Sequence, residues 1–363
     1  MGRTSDDWLA LHLAPGIGDR RKRALVEEFG GPSEVLRLSR GEVAGATGCS
    51  GAAARRFVEE RADTGAVRGA LERARAGILA WDDPDYPLLL KETYDPPLAL
   101  FVRGDRTLLS RPMVGIVGAR RADPGAASWT GRIASTLARS GFVVASGLAR
   151  GIDEAAHRGA LRAGGLTAAV LGTGPDVVYP PGSGKLALSI AESGVIVTEL
   201  PPGEGPLAGH FPRRNRILAG LCRAVVVVQA SERSGAMITA RLALESCREV
   251  FVVAAFPWDR RFAGNRRLAR DGAPVVQDGE EVALLLGASP PPPADEEGTA
   301  VRALQGLERE VAETLAAGPR TADEICRAVR REPAEVLPLL LGLEIGGVVE
   351  ERPGSLFALA VPR

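Results

Sequence analysis

The chain lacks net charge: 45 Lys and Arg balance 45 Asp and Glu over 363 residues. A strong uniform field that would draw the whole molecule onto a polyanion is therefore excluded. Aromatic residues amount to only 4%, so base stacking, if used, rests on few side chains. Lysine is nearly absent, with three against 42 arginines. Genomic base composition produces such a skew as readily as phosphate recognition does, so it carries no function by itself. The four cysteines (Cys49, Cys222, Cys247, Cys326) are scattered, with no CxxC and no histidine cluster beside them. That excludes a disulfide framework and a cysteine metal site, and fits reduced thiols in a cytoplasm. No apolar run approaches the roughly 20 residues of a membrane span. The opening MGRTSDDWLALHL has early acidic residues and no signal-peptide core. A cytoplasmic protein with no membrane partner, metal or cofactor is expected.

The balance of charge is uneven along the chain. Residues 111–275 hold 21 Arg and Lys against 12 Asp and Glu, and the remainder holds 24 against 33. A basic middle is flanked by acidic ends. The length allows two or three domains, with boundaries expected at 1–70, 71–286, a linker over 287–300, and 301–363. The first segment is helical: LAPGIGDRRKRALVEEFGG has a Gly-Ile-Gly turn and then a helix stopped by Gly30-Gly31. It is either a SAM-like or helix-hairpin-helix domain, whose turn amides meet DNA phosphate, or a small bundle whose glycines are only caps. SRGEVAGATGCSGAAARRFVEE reads as a degenerate second hairpin.

The middle alternates apolar runs (MVGIVGA, FVVASG, TAAVLG, VIVTE, AVVVVQA, VFVVAA) with amphipathic stretches. Continuous Val and Ile runs are strands buried on both faces, so the fold class is α/β, a doubly wound, mostly parallel, Rossmann-like sheet. GASPPPPADEEGTA is Pro-rich and acidic, and reads as the linker. Three helical stretches and a short β-like end follow, in the order of a winged helix. Its usual DNA-reading helix, PAEVLPLLLGLEIGG, has no basic residue, which points to packing or to docking a protein rather than to DNA.

In a doubly wound sheet the ligand sits where strands end and helices begin. Four loops occupy those places: GARRADPGA, SGLARGID, GTGPDVVYPPGSGK and SERSGAMITA. Small residues bring backbone amides close to an anion, and helix N-termini favour phosphate. Arg120, Arg150, Lys185 and Arg233 stand in or beside these loops, and Arg213, Arg214 and Arg216 in FPRRNR are expected to line the same groove. Cations at a helix start are unfavourable by the dipole argument unless an anion is held there. GIVGARRADPG places Arg120 where a dinucleotide fingerprint expects a third close-packing residue, and no suitably placed acid follows the second strand for a ribose.

These motifs, with TELPPG and NRRLARDGA, resemble in sequence and order the bacterial DNA-processing protein A (DprA/Smf) family over residues of about 80–280. The resemblance implies an extended Rossmann domain that binds and protects single-stranded DNA, loads the RecA recombinase during natural transformation, works as a homodimer and has no catalytic activity. It places DNA contacts at Gly118 and Arg120, on Ser146, Gly147, Arg150 and Gly151 of the SGLARGID loop, and on Arg214, Asn215 and Arg216. Ser234, Gly235 and Thr239 complete the set. The family's YPxxN is YPPGSGK here, so Lys185 stands in for an asparagine, and its Val-Pro-Gly is replaced in VVAAFPWDRRFAGN.

Plainer readings accompany these residues. Asp153 and His157, four apart, share a helix face and are expected to pair beneath the loops. Ser146 and Ser234 read as phosphate-binding hydroxyls, because VASGLA is not a Gly-x-Ser-x-Gly elbow. The rival function is a nucleotide-hydrolysing Rossmann enzyme with a Glu three residues after the loop threonine. Thr239 is followed there by Leu242, and the nearest acid is Glu245. A third reading is an adaptor with a vestigial Rossmann domain.

Overall fold

The computed structural model describes residues 2–254, 258–288, 306–316, 318–345, 348–352 and 356–359. The chain divides into two compact units at Pro290. The first begins with six helices: α1 (Gly2–Leu13), α2 (Asp19–Phe29), α3 (Pro32–Val35), α4 (Arg40–Thr47), α5 (Gly51–Glu59) and α6 (Thr64–Ala74). Local chemistry sets their ends. Ser39, Ser50 and Asp63 accept hydrogen bonds from the amides three residues on, and Gly30 and Gly48 close α2 and α4 in the left-handed conformation. The two stretches read as hairpins form the successive helices α1 and α2, and α4 and α5. Trp8, Leu25, Val35, Val43 and Phe57 form their core, which Ala80 and Leu98 of the sheet region complete. The helices therefore pack on the sheet edge, and residue 70 lies within α6.

The sheet has nine strands. In chain order they are β1 (Gly77–Ala80), β2 (Ala99–Gly104), β3 (Met113–Val117), β4 (Val143–Ser146), β5 (Thr167–Val170), β6 (Val195–Thr198), β7 (Ala224–Val227), β8 (Glu249–Val253) and β9 (Val275–Val276). Their spatial order is β1-β2-β6-β5-β4-β3-β7-β8-β9. From β6 to β9 every pairing is parallel, whereas β2 joins β6 and β1 joins β2 antiparallel. All six apolar runs singled out in the sequence are strands. Alternate residues point to opposite faces: Met113, Val143, Val225 and Val250 enter one core, and Val114, Val144, Val226 and Phe251 the other.

Helices α7 (Leu88–Lys91), α8 (Pro124–Arg139), α9 (Ile152–Arg162), α10 (Gly184–Ser193), α11 (His210–Leu221), α12 (Gly235–Glu245) and α13 (Ala263–Arg270) connect the strands, and α14 (Gly279–Leu285) follows β9.

In the second unit α15 (Leu307–Ala316), β10 (Arg320–Thr321), α16 (Ala322–Val329), α17 (Pro333–Ile345), β11 (Val349–Arg352) and β12 (Leu356–Leu359) have the element order of a winged helix, with strands ordered β10-β12-β11. Val336, Leu340 and Leu343 recur at helical spacing and turn α17 into the unit's core. Most of the Pro-rich stretch, residues 289–300, and Ala255, Phe256 and Pro257 of the divergent VVAAFPWDRRFAGN loop lie outside the described residues. No helix among the described residues is long and apolar enough to cross a membrane.

Candidate nucleic-acid interface

Strands β4 to β6 lie on one side of β3 and β7 to β9 on the other. The connections leaving β3 and β7 therefore diverge, and a crevice opens at their carboxyl ends. Two cavities of about 650 and 290 Å³ share a wall there made by Arg120, Tyr179, Phe211 and Arg214. Gly118, Asn215, Ser234, Gly235 and Thr239 line the larger one, and Gly147 and Arg150 the smaller. Residues from four separate loops thus meet at one place.

Arg214 forms the floor. Its residue surface is 6% exposed. Nη1 donates to the carbonyls of Gly147 (2.6 Å) and Val170, and Nε to Asn215 Oδ1 (3.1 Å). Nη2 has no hydrogen-bond acceptor among the described residues. Burial lowers the Arg214 pKa, against the nearby Asp153 carboxylate, which raises it. The guanidinium lies so close over Gly147 that a Cβ there would sit 2.4–2.5 Å from three of its atoms.

Asp153 holds the loop that carries Gly147. Its Oδ2 accepts from the amides of Gly147 (3.0 Å) and Ala149 (3.4 Å). Burial raises its pKa, against Arg214 and these amides, which lower it. At the end of the loop Gly151 adopts φ 79°, ψ −118°, and a Cβ would stand 2.3 Å from the Ala119 carbonyl. Only glycine accepts both conditions. Ser234 precedes α12 without capping it, and its buried Oγ has no partner among the described residues. Gly235 and Ala236, at the start of α12, line the larger cavity with it, and a helix N-terminus is suited to an anion.

Aromatics supply what the basic residues lack. The Arg120 guanidinium lies 5.5 Å from the centre of the Phe211 ring, and Phe211 is 5.6 Å from Tyr179. Sequence reasoning passed over both rings. The usable signal was helical spacing: Phe211, Arg214, Asn215 and Leu218 follow the i, i+3, i+4, i+7 pattern and all line the larger cavity.

The same period separates the three arginines, which do not line one groove. Arg213 and Arg216 point away from the crevice to Glu199, at 3.6 Å from Arg213 and hydrogen-bonded to Arg216. Arg216 also pairs with Asp95. At the helix start the Arg216 charge is met by the buried Glu199 carboxylate, which the exposed Arg213 only shares from further away.

Ser146 is fully buried and its Oγ donates to the Ile116 carbonyl (2.6 Å), so it supports the strand ends instead of facing a ligand. Lys185 is exposed at the start of α10 and lines neither cavity. The Thr239 hydroxyl bonds its own helix at the Gly235 carbonyl. Asp153 and His157 share a buried face, yet they do not bond to each other. Each is taken by a nearer partner, Asp153 by the loop amides and His157 Nδ1 by Thr167 Oγ1 (2.7 Å). Thr167 Oγ1 donates to the Val144 carbonyl, so Nδ1 carries the histidine proton, and Nε2 is a buried acceptor with no partner among the described residues. No cluster of His, Cys, Asp and Glu among the described residues could hold a metal.

Burial lowers the His157 pKa to about 3. A depressed folded-state pKa contributes stability that is present above the unfolded value of 6.5 and lost as pH falls toward 3. The raised Asp153 carboxyl acts with the opposite sign. The difference between wild type and His157→Gln therefore isolates the histidine. Denaturation from pH 7 to pH 4 is expected to show wild type losing up to about 1.4 kcal/mol per pH unit relative to the variant. Parallel curves would contradict a buried neutral His157.

Residues 77–287 match the model of the family "DNA recombination-mediator protein A", and residues 287–355 match the DprA winged helix domain. Over 315 residues the chain is 38% identical to Protein Smf of Synechocystis, across 76% of this chain and 78% of that one. It is similar to the X-ray structure of DNA processing protein A from Streptococcus pneumoniae, with TM-score 0.69 and 34% identity over 77% of this chain and 97% of that one. It is also similar to a structure that describes the single-stranded DNA binding mode of the Helicobacter pylori protein. There the TM-score is 0.53 and the identity 30%, over 58% and 95% of the two chains. The motif order, the switch-point crevice and a family match over more than half of the chain agree, and the protein belongs to the DNA recombination-mediator protein A (DprA/Smf) family.

Proposed function

We propose that the crevice binds single-stranded DNA without sequence preference, and that the protein protects the strand and passes it to RecA during natural transformation. The observation that carries this reading is the shared wall of Arg120, Phe211, Tyr179 and Arg214. A groove that tracks single strands combines cations for phosphate with aromatic faces for bases, and stacking is tolerant of sequence. The α12 amides and Ser234 offer a second anion position a short way along the same cavity. The solved structure of the Helicobacter pylori relative, which concerns single-stranded DNA binding, supports carrying that ligand to this chain. RecA loading and a homodimer rest on family membership.

The crevice suits holding a strand better than cutting one. Asp153, the carboxylate lining it, is occupied by loop amides and faces the Arg214 charge. Glu245 is exposed and lies 3.5 Å from Arg241 on the outer face of α12. Neither is placed as the catalytic acid of a nucleotide-hydrolysing enzyme.

Anisotropy of labelled oligo-dT across a salt series separates the two kinds of contact. Arg120→Ala is expected to weaken binding and make the salt slope shallower by about 0.7, one phosphate contact on a single strand. Phe211→Ala is expected to cost about 1–3 kcal/mol of affinity with the slope unchanged. Unchanged affinity in both variants would remove the crevice as the DNA site.

A further inference from the structure

A second basic basin lies across α11 from the crevice. It is a groove of about 1180 Å³ between the Gly16-Ile17-Gly18 turn, the start of α2 and the first turns of α11. Four carboxylates line it as well, so its charges must be sorted before it can be assigned a ligand. Lys22 is 3% exposed and lies 3.6 Å from Asp19, and Arg216 is bonded to Glu199 and lies 3.4 Å from Asp95. These pairs are internal and cancel. Arg23 is shared with Glu27 (3.6 Å).

What remains toward solvent is cationic. Arg20 and Arg21 are exposed and have no carboxylate within ion-pair distance among the described residues. The Arg213 side chain is 60% exposed above Glu199. The Arg20 guanidinium lies 4.6 Å from the centre of the Tyr94 ring, and Tyr94 is 72% exposed. A large aromatic left in water beneath an unpaired arginine repeats the chemistry of Arg120 over Phe211.

The two basins are joined by one helix. Arg213 and Arg214 are successive residues, one facing each basin, so only the width of α11, about 10–12 Å, lies between them. We infer that this groove is a second single-stranded-DNA contact: a strand leaving the crevice over α11 continues past Arg213 onto Arg20, Arg21 and Tyr94. The inference rests on the single-stranded-DNA reading above and extends it to the helical region. It makes the binding site longer than the crevice and predicts that affinity depends on strand length.

The test compares labelled oligo-dT of about 6 and about 20 nucleotides, near the short end of and above the roughly 4–16 nucleotides that one single-strand groove holds. It uses wild type and the Arg20→Ala/Arg21→Ala variant, with the melting midpoint checked for both. The variant is expected to bind the short strand as wild type does. It should lose three- to tenfold in affinity for the long strand, with a salt slope shallower by about 1.4, two phosphate contacts. An unchanged long-strand affinity and slope, with normal short-strand binding, would overturn this inference alone. Equal losses at both lengths would also overturn it, since the residues would then not form a separate contact. Failure of wild type to bind either strand would remove the crevice reading and this inference with it.

Discussion

Replacing Arg214 with alanine is expected to lower unfolding stability by about 3–5 kcal/mol, the cost of leaving a buried charge without its partner. The abandoned charge is Asp153, 7% exposed and already raised in pKa by burial. The carbonyls of Gly147 and Val170 lose their donor at the same time. Lysine does not substitute, because one ammonium cannot span two carbonyls and the Asn215 side chain as a planar guanidinium does. Removing both charges with Asp153→Asn in the Arg214→Ala background is expected to cost less than the sum of the single changes. The deficit of Arg214→Ala should also shrink as pH falls through the carboxylate range, because protonation of Asp153 removes the unpaired charge. Urea unfolding at two pH values checks all three points. A loss within about 0.5 kcal/mol of wild type would mean that Arg214 is not the counter-ion of this loop.

Gly147→Ala is expected to produce much of the same damage from the other side of the contact. A methyl group at this position meets the guanidinium at 2.4–2.5 Å. The backbone is tied by the Asp153 carboxylate, so the arginine moves and leaves its carbonyls. Overpacking of this kind costs about 1–3 kcal/mol, and displacement of Arg214 also removes the floor of the DNA crevice. In the Arg214→Ala background the same methyl meets open space and should cost little. A double-mutant cycle is therefore expected to give a coupling of about 1–3 kcal/mol. Gly45→Ala, inside α4 with nothing within 4 Å of the added carbon, is the control and should be neutral or slightly stabilising. Additive losses at Gly147 and Arg214 would contradict the packing described here.

The central strands were legible because each is an unbroken apolar run of the length a two-sided burial requires. The antiparallel extension was not. GILA is only four residues long, and ALFVRG follows two prolines and pairs with the far edge at β6. Neither has a parallel neighbour, and only short helical turns follow them. The loops of the site were legible from their small residues and their places after strands. Three details are set only by the fold. FPRRNR reads as one basic cluster, but a helix turns about 100° per residue, and that rotation sends Arg214 into the crevice and Arg213 and Arg216 toward Glu199. Asp153 and His157 have the spacing of a pair, but spacing does not show that loop amides and Thr167 are closer partners. Tyr179 and Phe211 are 32 positions apart, and only the fold brings their rings together.

Photocrosslinking of oligo-dT to the wild-type protein, with the attached peptide identified by mass spectrometry, tests the central claim most directly. A base stacked in the crevice is expected to crosslink to the peptides that contain Phe211 or Tyr179, and Phe211→Ala should remove the first of these crosslinks. Crosslinks confined to the second unit, residues 291–363, with none at Phe211 or Tyr179, would contradict the assignment of the crevice as the DNA site.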